Sequence, residues 1–154
     1  MPARASALCV LAMIAMGCSN SSSSRDIMQE TECDSATPIV AESDQSLPEV
    51  QGVAVDATVY GLLFPVGPLP VHSGDEVKVV WRMTGEGDLL VTYESPAGVP
   101  GELTFGPEPH GGSSYTRPGD EWGTGFLFDE PGCWHIHLAR TVGSGDVWIN
   151  VAAI

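Results

Sequence analysis

From Leu47 to the C-terminus, glycine or proline interrupts the chain so often that the longest stretches free of both, Asp75–Thr84 and Cys133–Val142, are ten residues each. A typical helix runs ~11–12 residues and tolerates neither residue well in its interior. Helices are therefore nearly excluded, and what fits between the breaks is short strands separated by turns. The 18 glycines and 12 prolines read as turn punctuation in an all-β chain.

Alternation supports this reading. In Val77-Lys78-Val79-Val80-Trp81-Arg82-Met83 the odd positions are uniformly apolar, while Lys78 and Arg82 point the other way, as in a half-buried strand. Gly85-Glu86-Gly87-Asp88 then leads into Leu89, Val91 and Tyr93, which predicts a hairpin. Further strands are expected around Val53, Val55 and Val59, at Leu62–Phe64, Leu103–Phe105, Gly125–Phe128, Trp134–Arg140 and Val147–Val151. About seven or eight strands in roughly a hundred residues is the size of an immunoglobulin-like antiparallel β-sandwich. For the last two strands, a turn at Gly143-Ser144-Gly145 would set Leu138 opposite Val147 and Ile136 opposite Ile149, with His137 beside Trp148 and His135 beside Asn150 on the outer face.

The N-terminus has a different composition. Residues 1–17 carry one positive charge, Arg4, then the apolar run Ala5–Met16, a signal-peptide layout too short for the ~20 residues of a permanent span. Ala15 and Gly17 ahead of Cys18 resemble the bacterial lipobox, whose cysteine is lipidated and becomes the mature N-terminus. Ala15 stands where that motif usually has leucine, so an ordinary secretory signal is the alternative. Both place the chain outside the cytoplasm; with Cys18 lipidated it is anchored to a bacterial cell membrane, inner or outer left open. Residues 18–46 form a serine-rich, acidic tether that buries little, and 47–154 form the domain.

With 20 acidic residues, 6 basic ones and a net charge of −14, the chain lacks the clustered cations that hold nucleic acid, and Lys78 is its single lysine. Of four cysteines, Cys9 lies in the signal and Cys18 takes the lipid, so Cys33 and Cys133 remain. In an exported protein such a pair is most simply a disulfide, with a free or partner-linked thiol as the alternative.

Two stretches could carry chemistry. Cys133, His135 and His137 project to one side of a strand, which invites a copper or zinc site of cupredoxin-like type. Against it, no methionine follows Cys133, and a disulfide would consume the thiolate; a polar strand face is the plainer reading, and His110 or His72 would have to complete a metal set. The second stretch is the expected loop 106–122, which gathers His110, Tyr115, Arg117, Asp120, Glu121 and Trp122, chemistry suited to a polar ligand such as a sugar or peptide. Equally, Arg117 could pair with Asp120 or Glu121 only to fix the loop. Ser113 and Ser114 lie near His110, but no Gly-x-Ser-x-Gly elbow is present and no acid is placed to orient the histidine, so no enzymatic activity and no cofactor are expected.

The run WGTGFLFDEPGCWHIHLAR, residues 122–140, with VVWRMTGEGDL and GPEPHGGSSYTRPGDEW upstream, resembles a family of bacterial secreted and lipoprotein domains marked by W-G-x-G-F-x-F-x-x-P-G-C-W. The resemblance covers most of 47–154 and implies an exported domain without an activity to transfer. True immunoglobulin membership is not implied: Cys33 precedes every strand, and no tyrosine lies two residues before Cys133. The expected function is a non-enzymatic binding or interaction module for an extracytoplasmic ligand or protein.

Overall fold

The computed structural model describes residues 33, 35–40 and 47–154. The signal, Cys18 and most of the tether lie outside the described residues. The chain forms the expected all-β class, as two packed antiparallel sheets. The strands are β1 (Ile39–Val40), β2 (Glu49–Gln51), β3 (Val53–Val55), β4 (Val59–Phe64), β5 (Asp75–Met83), β6 (Leu90–Glu94), β7 (Phe105–His110), β8 (Asp120–Phe128), β9 (Gly132–Ala139) and β10 (Ser144–Val151). One sheet has the order β1-β2-β4-β5-β8-β7, the other β3-β10-β9-β6.

Period-two alternation builds the core. Val77, Val79, Trp81 and Met83 of β5 are buried against Trp134, Ile136 and Leu138 of β9 and Val147, Ile149 and Val151 of β10. Trp81 donates its indole N–H to Thr124 Oγ1 at 2.8 Å, which satisfies the one polar atom such a ring brings into a core. Gly61 of β4 makes room for that ring: a Cβ there would lie 2.5 Å from Trp81 Cζ3 and 3.0 Å from Val50 Cγ2.

Ten strands form among the described residues rather than seven or eight, because the chain breaks pairing where it changes sheets. β2 and β3 are one extended run that passes from the first sheet to the second at Gly52, whose absent side chain admits Asp146 O and Val147. The expected hairpin at 85–88 is instead a crossover: β5 and β6 lie in different sheets. Gly85 and Gly87 there take positive φ and press against Val142 and Thr141, and Glu86 exchanges backbone hydrogen bonds with Val142. The expected strand at 103–105 begins at Phe105 and continues through His110 as β7.

The β9–β10 register also differs from expectation. Val147 faces Ile136, Ile149 faces Trp134, Trp148 faces His135 and Asp146 faces His137. The turn is the stretch from Arg140 to Gly143, closed by Arg140 N–H donating to Gly143 O at 3.0 Å, so β10 starts earlier and the pairing slides by two residues. A two-residue slide keeps every side chain on its face, which is why the inward and outward sets were readable although the partners were not.

Part of the expected tether belongs to the domain. Cys33 and Cys133 form a disulfide. Thr37 is buried and donates its backbone N–H to Trp148 O, and β1 pairs with β2. Residues 35–40 thus run from β10 of one sheet to the β2 side of the other.

Candidate functional site

The expected ligand loop is shorter than its sequence suggested, since 106–110 belong to β7 and 120–122 to β8. The remaining loop, residues 111–119, lies as a strap on the outer face of the six-stranded sheet. Tyr115 is buried against Leu62 and Val80, forming a small second core with Leu47 and Tyr60 alongside. Arg117 does not pair with Asp120 or Glu121. It reaches β2, where its Nε donates to both oxygens of buried Glu49 at 3.0 and 3.1 Å, its Nη2 lies 2.8 Å from Glu49 Oε1, and its guanidinium covers the Tyr60 ring. The Tyr115 phenol is pushed well above its usual range, first by burial and next by the Glu49 carboxylate.

Asp120, Glu121 and Trp122 are parted by strand alternation. Asp120 meets Arg140 Nη2 at 2.6 Å, and the Arg140 guanidinium lies over the Trp122 ring, 4.6 Å from its centroid. Trp122 joins the main core. Glu121 turns to the outer face, its side chain 1% exposed, opposite Arg82 in the β5–β8 register. Arg82 Nε stands 2.8 Å from Glu121 Oε2, and Ser113 Oγ donates to the same oxygen. His110 Nε2 is 3.7 Å from Glu121 Oε1, which accepts no hydrogen bond from the described residues.

This order of groups matters chemically. In a serine nucleophile triad the imidazole stands between hydroxyl and carboxylate and takes the hydroxyl proton. Here the carboxylate stands between Ser113 and His110, and the serine oxygen also accepts the Tyr115 backbone N–H at 3.1 Å. The trio holds the strap down.

Two hollows flank His110. One of about 390 Å³ is bordered by Arg82, Asp88, Asp120, Glu121 and Arg140. The other, about 260 Å³, lies beside the strap between Leu62, Phe64, Val80 and Tyr115, with Lys78 and His110 at its lip.

On the outer face of the four-stranded sheet, His135 Nε2 and His137 Nδ1 both converge on Asp146 Oδ1 at 2.8 Å. His135 stacks on Trp148 with centroids 4.9 Å apart and planes at 12°. Burial raises the Asp146 pKa, but the hydrogen bonds and charges of His137 and His135 outweigh it and hold the carboxyl below its ordinary value. Asp146 was not foreseen as part of this cluster, because the expected register faced His137 with Trp148. The Cys33 bond removes the thiolate that a cupredoxin-like centre requires, and no group of three or more metal-ligating side chains is arranged to hold an ion among the described residues. His72, the other histidine considered, is elsewhere: its backbone N–H donates to Asp75 Oδ2 and it forms a bridge to Ala152.

A larger groove, about 660 Å³, went unanticipated. It lies over the buried rings of Tyr93 and Trp134, between Pro100–Glu102 and Leu127–Glu130. Tyr93 donates its hydroxyl to Glu102 O at 3.0 Å, and burial raises its pKa. Two distant stretches, 93–104 and 127–134, form its wall, so only the fold assembles it.

No family model matches the chain, and no curated protein or solved structure matches it significantly.

Proposed function

We propose that the protein is an exported, lipid-anchored binding module without enzymatic activity, akin to the bacterial secreted domains whose W-G-x-G-F motif it resembles. The observation that carries this reading is the use of the loop residues. Ser113, the candidate nucleophile, and Tyr115 and Arg117 of the same loop lie in contacts that pin the strap to Glu121, the sheet and Glu49, while hollows stay open beside it. A rigid frame with open hollows suits recognition rather than turnover. The signal-like leader and Cys18 support export and anchoring outside the cytoplasm. Phase partitioning of cell extracts into detergent tests the anchor: the wild type enters the detergent phase and Cys18→Ala does not. Hydrolytic turnover of ester or peptide substrates that disappears in His110→Ala would overturn the non-enzymatic reading.

The convergence of His135 and His137 supports a second reading, metal handling with zinc or copper(II), in which the two imidazoles would be the ligands. Isothermal titration with either ion separates the two. Saturable binding lost in the His135→Ala/His137→Ala double variant supports metal handling, and an absence of saturable binding removes it.

A further inference from the structure

We infer that the hollow beside the strap is a site for a small monoanion with an apolar body, a short-chain or aromatic carboxylate, with Lys78 meeting the carboxylate; this rests on the binding-module reading. Size sets the first limit. At ~30 Å³ per water, 260 Å³ is the space of about nine waters, which suits a ligand of about nine non-hydrogen atoms.

The lining sets the second. Leu62, Phe64, Val80 and Tyr115 offer an apolar wall large enough for an aromatic ring or a short alkyl chain. At the lip stands Lys78, the single lysine of the chain, its Nζ 5.5 Å above the Phe64 ring. Half-exposed His110 lies on the same lip.

Local charge sets the third, and it runs against the charge of the whole molecule. The two buried carboxylates on this face are each occupied by a guanidinium, Glu49 by Arg117 and Glu121 by Arg82. Glu108 sits in the neighbouring β7 but does not line the hollow. Among the described residues, the lining of this hollow thus holds Lys78 and His110 and no carboxylate, in a chain of net charge −14. Ser113 spends its proton on Glu121, and Lys78 brings to the lining the fixed positive charge that would meet an anionic head. The Tyr93 groove has the opposite character, with Glu102, Asp129 and Glu130 in its wall and no basic side chain among the described residues.

The test is a titration of the ¹⁵N-labelled full-length chain, at low salt, with benzoate, benzyl alcohol and benzylamine, three probes of nearly equal size and different charge. Benzoate should shift the amides of Phe64, Lys78, Val80 and Tyr115 saturably, with a dissociation constant of about millimolar order for so small a ligand. Benzyl alcohol should bind more weakly and benzylammonium weakest, although the net charge favours the cation. Lys78→Gln should weaken benzoate about fivefold, the upper range of an exposed ion pair, and leave benzyl alcohol unchanged. Lys78→Glu should reverse the preference toward benzylammonium. Lys78 is exposed, so both variants should keep the wild-type spectrum without ligand. Equal affinity for benzoate and benzyl alcohol, wild-type benzoate binding by Lys78→Gln, or no saturable shift at these amides would overturn the inference. Saturable shifts around Tyr93 and Trp134 alone would overturn this site while leaving the binding-module reading standing, which fails separately on His110-dependent turnover.

Discussion

Removing the Arg117 side chain should detach the strap, and the structure gives the size of the effect. Glu49 keeps only 9% of its side-chain surface and Arg117 30%, and three N–O distances of 2.8–3.1 Å join them. Deleting one partner of a buried ion pair costs ~3–5 kcal/mol, because the remaining charge is stranded away from water. The partial exposure of Arg117 and its place on a surface strap let water reach Glu49 after the change, so about 2–3 kcal/mol is expected for Arg117→Ala. With a urea m-value of ~1–3 kcal/mol/M, the unfolding midpoint should fall by about 1–2 M, read by tryptophan fluorescence. Two further variants isolate the cause. Glu49→Gln/Arg117→Met removes both charges and keeps side-chain volume, so it should cost less than the single change. Ser114→Arg places a trypsin site in the strap of either background, and cleavage there before the domain unfolds, in the Arg117→Ala background alone, reports release directly. A loss below ~0.5 kcal/mol in Arg117→Ala, or a double variant as unstable as the single, would refute the idea that stranding the Glu49 charge is the main cost.

Three other outcomes follow from contacts elsewhere. Reducing or replacing the Cys33–Cys133 bond, which joins residues 100 apart, should destabilise the domain by about 2–4 kcal/mol, measured as urea midpoints with and without reductant. The carboxyl of Asp146 is depressed in the folded state, so its contribution is present above the ordinary carboxylate range and is lost as pH falls through its lowered folded value; the melting temperature of Asp146→Asn should therefore fall less steeply than the wild type's on acidification, and parallel curves would count against the role of the two histidines. Gly61→Ala forces a methyl group into the Trp81 ring and should cost about 1–3 kcal/mol in thermal or urea unfolding, whereas Gly67→Ala, with open space around it, should be close to neutral.

The sandwich was legible because its signal is local. Turn residues at short intervals and period-two alternation declare strands and their buried faces, and Val77, Trp81, Ile136 and Ile149 all lie on the faces their alternation indicates. Pairing was less legible because it depends on where turns close. The stretch at 85–88 resembles a hairpin turn, yet Leu89 must enter the core beneath the other sheet, and the two glycines serve a close crossing over Thr141 and Val142. The candidate loop was found, but the partner of its arginine was not. Arg117 could be matched with nearby acids on the chain, whereas Glu49, its partner 68 residues away, is brought there by β2 pairing with β4. Asp146 was hidden by the two-residue register slide, and the Tyr93 groove by its assembly from two distant stretches.

The disulfide also decides how the domain bears load. A pull that reaches residue 33 from the N-terminal side passes through the covalent bond into β9, a strand hydrogen-bonded along both edges by β6 and β10. The two-residue ladder of β1 on β2 and the Thr37 contact with β10 lie beyond that point of entry and are shielded from tension. Reduction would move the point of loading to Thr37 and β1, where a few hydrogen bonds can open one after another. The same tug that the oxidised domain meets with its centre would then peel the reduced domain from its rim.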